Sequence, residues 1–400
     1  MGSKKGSRKT RVMVAVFIFL FSLVPLLCLS VSSPAANVIK IGALYPLSGP
    51  TAETASFVVE GIKMAVEEIN AKGGVPVQGD RLKIELVFYD TQGNPTLGVG
   101  AAEKMINRDK VVAISGDFSS TATLAEREVV NRNKIVMVNA VSVHPKICGP
   151  EFPYIFRISN VMEAVSVPFV EYVAKTLKPK MVGLLAVTND YGRSAVTSNT
   201  ELYEKYGIKI SAVEWMKSGD TDFYTQITKI LTTKPDAVYI VTTENAQLVG
   251  TLKQLKELGF KGYILGTSSY GRDDIVALAG KELLEGMYLE GPPLDLVMDR
   301  PAVQDWWKRY EKRWGRPPMS FSLRGYDTVL LLADAVKRAN TLTEKERIRE
   351  AMAKTNINEV LFGYNGTPNF DKLGQAKQYF GVFQYRNGKR VVIYDEGKKK

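Results

Sequence analysis

The sequence predicts an α/β protein built as two lobes, each a parallel sheet covered by helices on both faces. Three observations carry that prediction. First, short apolar runs rich in Val, Ile and Leu alternate with stretches whose apolar residues recur at helical spacing, from Val38 nearly to the end. Second, the spacing at which strands and helices alternate predicts parallel sheets covered on both faces. Third, 400 residues exceed what a single covered sheet ordinarily holds.

Taken in order, Val38 to Leu44 reads as a strand, and Pro46-Leu47-Ser48-Gly49-Pro50 as a loop. Val58, Val59, Ile62, Ala65, Val66 and Ile69 mark a helix that Gly73-Gly74 ends. Strand Leu82 to Phe88 follows, then a helix through Leu97, Ala101 and Met105. Val111 to Ser115 is a buried strand broken by Gly116. Ser119, Ser120 and Thr121 then lead into a helix, where hydroxyl oxygens can accept from the orphan N–H groups of the first turn. Such a turn, at the positive end of the helix dipole, also suits a carboxylate. Ile135 to Val138 closes the first series.

The second series repeats the scheme: helix 162–176, strand Met181 to Val187, helix 195–206, strand Ile208 to Val213, and a helix capped by Asp220-Thr221-Asp222. Strand Ala237 to Val241, a helix to Leu258 and strand Tyr263 to Leu265 come next, then helices at about 302–314 and 322–339 and one more with Thr343 and Glu346 as a capping box. Two strand-like runs, Tyr379 to Tyr385 and Arg390 to Tyr394, end the pattern. Ligands of parallel sheets bind at the carboxyl ends of strands. Loops 116–121, 139–145, 189–192, 242–245 and 266–271 therefore line the expected cleft.

The first 36 residues stand apart. A basic head (Lys4, Lys5, Arg8, Lys9, Arg11) precedes the apolar Val12 to Leu29 and the small-residue exit Ser33-Pro34-Ala35-Ala36, the layout of a secretory signal peptide. An uncleaved anchor is the other reading of an 18-residue apolar run. Either way the body is expected outside the cytoplasm, periplasmic or otherwise extracytoplasmic. Those five cations account for much of the formal +11, leaving a net charge of +6. Without a patterned basic face interleaved with aromatics, nucleic acid is not an expected partner. Cys148 is then alone, and no internal disulfide can form.

His144 is the only histidine, and no Gly-x-Ser-x-Gly elbow, P-loop or Gly-x-Gly-x-x-Gly is present. A secreted hydrolase needs a nucleophile–base pair that the sequence does not offer. No enzyme activity, cofactor or metal is expected.

Several motifs together resemble the branched-chain amino acid-type substrate-binding proteins of ABC importers. They are Ile39-Lys40-Ile41-Gly42 with Leu47-Ser48-Gly49-Pro50, Glu67-Glu68-Ile69-Asn70-Ala71-Lys72-Gly73-Gly74-Val75, Tyr89-Asp90, Ser119-Ser120-Thr121, Asp190-Tyr191-Gly192, Gly219-Asp220-Thr221-Asp222-Phe223 and Tyr379-Phe380-Gly381-Val382-Phe383-Gln384. The resemblance implies a type I periplasmic binding fold with three hinge crossings, near Ile155 to Ser159, Gly286 to Glu290 and Gly363 to Phe370. The first lobe is then 37–157 with 288–363, and the second 158–287 with 364–400. It also implies ABC permease and ATPase subunits as partners.

By the same resemblance, Ser120, aided by Ser119 and Thr121, holds a ligand carboxylate. Ala140, Val141 and Ser142 give backbone and hydroxyl contacts, and Tyr191 closes over the ligand. Two positions depart from the family's pattern. Val143 stands where a Thr is usual, and Ser268 where a second-lobe Glu pairs with the ligand ammonium. Burying an unpaired ammonium costs several kcal/mol. The expected ligand is therefore a small aliphatic or aromatic carboxylate, packed by Tyr191 and Tyr270. A branched-chain or other amphipathic amino acid is the alternative, with Glu244 as a relocated acid. For Glu244 alone, an exposed place in the first turn of a helix is the simpler expectation.

Overall fold

The computed structural model describes residues 38–267, 273–291, 297, 300–361, 370–376 and 380–395. The leader, Ser268 and Tyr270 lie outside them. The strands are β1 Ile39–Tyr45, β2 Val75–Val77, β3 Asp80–Leu82, β4 Ile84–Asp90, β5 Ala113–Gly116, β6 Val136–Asn139, β7 Ile155–Arg157, β8 Met181–Val187, β9 Lys209–Met216, β10 Ala237–Val241, β11 Tyr263–Gly266, β12 Tyr288–Gly291, β13 Gly381–Arg386 and β14 Lys389–Asp395.

Five of them form one sheet in the order β4-β1-β5-β6-β7, parallel throughout. Seven form a second, β14-β13-β12-β11-β10-β8-β9. Each strand feeds apolar residues to both faces, because side chains alternate along it. In β1, Ile39, Ile41, Ala43 and Tyr45 enter one core cluster and Leu44 the other. In β10, Ala237, Tyr239 and Val241 enter one cluster and Val238 and Ile240 the other. Two lobes each with a core on either side of a sheet are the type I periplasmic binding architecture.

The second sheet is not wholly parallel. β13 runs antiparallel to both β12 and β14. The β13–β14 pairing follows from a two-residue hairpin at Asn387-Gly388, whose φ values of 53° and 75° are those of a type I′ turn.

Two crossings also lie later than the sequence suggests. Tyr288–Gly291 pairs with β11 and β13 and buries Leu289 in the second lobe, so the return to the first lobe follows Gly291 rather than preceding residue 288. Gln375 bridges to Arg157 and Ala376 joins the first lobe's core, whereas Phe380 belongs to the second. Ala376 and Phe380 thus belong to different lobes, and residues 363–369 of the expected last crossing lie outside the described ones. The first falls after Arg157, since Met162 already packs in the second lobe.

One helix pair fixes the wall of the cleft. Ala52–Ala71 lies against Ser320–Ala339 so closely that a Cβ on Gly61 would stand 1.9 Å from the carbonyl oxygen of Ser322, and one on Gly325 would stand 2.1 Å from that of Val58. Only glycine permits this approach. A buried chain, Tyr45 Oη to Ser115 Oγ (2.8 Å) to Thr328 Oγ1 (3.2 Å), ties the second of these helices to β1 and β5. The Thr343 capping box does not form. Glu346 instead meets Tyr154 and Arg349, and Thr341 Oγ1 accepts from the N–H groups of Thr343 and Glu344.

Candidate functional site

A cavity of about 310 Å3 lies between the lobes, a size ordinary for small-molecule sites. Loops at strand ends and helix N-termini build it. Asn94 caps one helix by accepting from Thr96 N–H and Leu97 N–H, and Asn189 caps another by accepting from Gly192 N–H. Both line the cavity.

On the first-lobe wall, Ser119 is the N-cap of helix Ser120–Arg132, its Oγ accepting from Ala122 N–H at 3.3 Å. Its own N–H donates to Asp117 Oδ1 at 2.8 Å. Asp117 is wholly buried beside Glu126. Burial raises both carboxyls, Asp117 to about 6 and Glu126 well above its usual range, where the neighbouring Asp117 charge adds to the effect. Ser120 is buried at the first helical position and lines the cavity, and its hydroxyl has no hydrogen-bond partner among the described residues. Thr121 is already used: its Oγ1 accepts the N–H of Asp190 from the other lobe at 3.1 Å.

Val141, Ser142 and Val143 line the same wall, while Ala140 is fully buried and does not reach it. The Ser142 hydroxyl turns back to donate to the carbonyls of Asp117 (3.0 Å) and Phe118 (3.2 Å), so it holds the carboxylate turn in place. Two residues not singled out in the sequence complete the wall, Phe321 and Arg324 of helix Ser320–Ala339. Phe321 meets Phe118 edge-on at 5.5 Å, and the Arg324 guanidinium lies 6.0 Å from the Phe321 ring centre. Burial lowers the Arg324 guanidinium to about 9, partly opposed by Asp327, and it stays cationic at neutral pH.

The second-lobe wall is acidic and aromatic. Tyr191, half-buried, lines it, and its phenol is hydrogen-bonded to Thr267 and raised by burial. Glu244 is not the exposed helix-turn residue that its position alone suggests. It is buried in the wall, its Oε1 accepting from Ser218 Oγ (2.6 Å) and its Oε2 from Gly219 N–H (2.9 Å). A second acid, Glu290 at the end of β12, also lines the cavity and is 2% exposed. Burial pushes its carboxyl up to about 8, opposed by the nearby Tyr239 hydroxyl.

At the cavity's rim the lobes are joined by Asp190 N–H to Thr121 Oγ1, by Thr54 Oγ1 to the Thr243 carbonyl (3.3 Å) and by Asn245 Nδ2 to Glu53 Oε2 (3.1 Å). A ligand here touches both lobes at once, so its binding favours the closed arrangement.

The model of the periplasmic binding protein family matches residues 38–390. The chain belongs to that family. This periplasmic binding protein is 27% identical over 355 residues to the leucine-, isoleucine-, valine-, threonine- and alanine-binding protein of Pseudomonas aeruginosa, covering 88% of this chain and 91% of that one. A leucine binding protein from Thermotoga maritima superposes with a TM-score of 0.80 at 27% identity, covering 90% of this chain and 98% of the other. A solute-binding protein from R. palustris in complex with benzoate has a TM-score of 0.78 at 18% identity, covering 90% of this chain and 96% of that one, and so shares the fold. Members of the family bind solutes rather than transform them. Among the described residues no helix is long and apolar enough to cross a membrane.

Proposed function

We propose that the chain is the extracytoplasmic receptor of an ABC importer for a small amphipathic amino acid, held as a zwitterion across the cleft and captured without chemistry. One observation carries the reading: the two walls have opposite electrical character. The first offers a helix N-terminus with the unpartnered Ser120 hydroxyl and the cationic Arg324. The second offers two buried acids, Glu244 and Glu290. A carboxylate is stabilised at the first wall and an ammonium at the second. Phe118, Phe321, Val143 and Tyr191 leave apolar surface for a side chain.

The amino acids named for the relatives from Pseudomonas and Thermotoga agree with this reading. The leader would export the chain, and a permease with its ATPase would accept the loaded closed form.

The alternative is an ammonium-free acid. Val143 favours it, because an apolar residue in the cavity wall offers an ammonium no partner. Calorimetric titration with the matched pair leucine and 4-methylpentanoate, and with phenylalanine and 3-phenylpropionate, decides between them. The amino acid of at least one pair is expected to bind tighter by tenfold or more. Tighter binding of both deaminated acids returns the function to carboxylate capture.

A further inference from the structure

Two acids face the cleft from the second lobe, and they differ in what they already hold. Both Glu244 oxygens accept a hydrogen bond from the loop 218–219, so this carboxylate has a structural task, fixing that loop to the start of helix Asn245–Glu257. Among the described residues Glu290 is held by no loop, and only the Tyr239 hydroxyl stands near it. Its Oε2 is fully enclosed and accepts no hydrogen bond among the described residues. The hydroxyls of Tyr203 and Tyr239 are also fully enclosed, and Tyr239 points its hydroxyl toward Glu290 without closing a hydrogen bond of ordinary length. Three enclosed polar groups in one part of one lobe, none closing a hydrogen bond of ordinary length among the described residues, are far from the norm for a protein interior. All three side chains come from rigid elements: β12, β10 and helix Asp190–Lys205.

We propose that Glu290, supported by Tyr203 and Tyr239, is the subsite that receives the ligand's ammonium, and that it gives up a proton to solvent as the ligand enters. The inference rests on the amino acid reading above and names the residue that reading leaves open. The proton follows from the surroundings. The titratable groups facing Glu290 are Tyr191 and Tyr203 from helix Asp190–Lys205 and Tyr239 from β10, all neutral phenols at pH 7, and no cation among the described residues offsets its charge. An empty cavity therefore keeps the acid protonated through neutral pH. An arriving ammonium supplies the missing positive charge, the carboxyl ionises, and the ion pair forms in a site that excludes water.

The arrangement assigns distinct tasks to the two acids: Glu244 shapes the wall, and Glu290 reads the ligand's charge. It also makes capture sensitive to pH. With an acid titrating near 8, linkage gives binding roughly 50–100-fold tighter at pH 8.5 than at pH 6, and about one proton released per ligand at pH 7.

The test is calorimetry on the full chain with a panel of leucine, isoleucine, valine, alanine and phenylalanine. It is run at pH 6, 7 and 8.5, in two buffers of different ionisation enthalpy at each pH. Expected are release of about one proton at pH 7 and the stated rise in affinity. Glu290→Gln, a neutral isostere of the protonated acid, is expected to lose both while melting as a folded protein. Tyr239→Phe keeps the proton release and binds more weakly. Glu244→Gln keeps the proton release. Binding of a panel member without proton release, or proton release that survives Glu290→Gln or disappears in Glu244→Gln, overturns this inference and leaves the amino acid reading standing. If no panel member binds at any pH, that reading fails and this inference fails with it.

Discussion

The two walls of the cleft solve opposite problems. The first-lobe wall handles negative charge with parts common in proteins: a capped helix start, backbone N–H groups and a buried guanidinium. Its polar groups are largely held in place. Of its hydroxyls, Ser119, Thr121 and Ser142 each have protein partners, and Ser120 remains open toward the cavity. The second wall carries its unmet capacity on an acid that faces the cavity, whereas the first keeps its buried acids, Asp117 and Glu126, behind Ser119 and out of the cavity lining. The second contains the buried acid Glu290, with the enclosed phenols Tyr203 and Tyr239 behind it. The helix-start part of an anion site can be finished before the ligand arrives, because helix termini and hydroxyls are neutral and cost little to bury when bonded. A cation site built on a buried carboxylate cannot, because the charge is tolerated only once its partner is present.

That difference predicts how the empty protein responds to pH. Below about 4.5 Glu290 is protonated folded or unfolded, so it contributes no penalty. Between 4.5 and about 8 the unfolded chain has ionised while the folded one still holds its proton, so stability falls as pH rises. At about 1.4 kcal/mol per pH unit, the loss approaches roughly 5 kcal/mol by pH 8. Asp117 and Glu126, also raised, act in the same direction. Urea unfolding of the ligand-free chain from pH 5 to 8.5, compared with Glu290→Gln, isolates the Glu290 share. A difference between the two proteins that does not change with pH would remove the distinction between the walls.

On the first wall, Arg324→Gln is expected to weaken binding of the preferred amino acid by roughly 2–5 kcal/mol, the range for truncating one partner of a desolvated charge pair. Stability should fall less, because the variant no longer buries a charge. Calorimetry beside thermal melting separates the two effects. An affinity loss no larger than the stability change would make Arg324 structural. Ser120→Ala is the milder break, at about 1.5–3 kcal/mol of affinity for a hydrogen bond to a charged group. Ser119, not Ser120, supplies the helix cap, so melting should scarcely change. Weakened binding of leucine and 4-methylpentanoate alike would place Ser120 on the carboxylate. Weakened binding of leucine alone would place it on the ammonium.

The first wall was also the more legible in the sequence. Gly116, the hydroxyl triplet and the helical pattern after it mark a strand–turn–helix unit by local chemistry alone, and the cavity opens there. Most strands and helices were legible for the same reason, since each core face recurs at its own period. The departures have definite causes. Asn387-Gly388 is a strong local hairpin signal, but alternation of strand and helix over the rest of the chain favoured a parallel sheet. Glu290 was hidden because 286–290 reads as a crossing. Only the pairing of β12 with β11 and β13 turns it into a strand end facing the cleft. Arg324 had a visible signal, a cation on a helix whose Phe321, Leu323, Val329, Leu331 and Leu332 are apolar. Its place in the cavity depends on the contact of Gly61 and Gly325 with the opposite helix, which no local pattern encodes. Glu244 was recognised as a candidate, but its partners on the 218–219 loop are distant in sequence.

The smallest expected effect concerns the join between the walls. Thr121 stands beside the carboxylate turn, yet its Oγ1 accepts the N–H of Asp190 and so links helix Ser120–Arg132 to helix Asp190–Lys205. If the first wall is finished within its own lobe, this bond adds to closure and not to recognition. Thr121→Val keeps the shape and removes the acceptor. It should weaken every ligand by about 0.5–1.5 kcal/mol, the net worth of a neutral hydrogen bond, without changing the preference for leucine over 4-methylpentanoate. The loss should appear mainly in the dissociation rate, because the contact exists only once the lobes meet. Stopped-flow kinetics on the matched pair reads both quantities. Equal slowing of association and no change in dissociation would move the bond's contribution to the open state. A change in preference between the two ligands would return Thr121 to the carboxylate site, and the first wall would then prove as unfinished as the second.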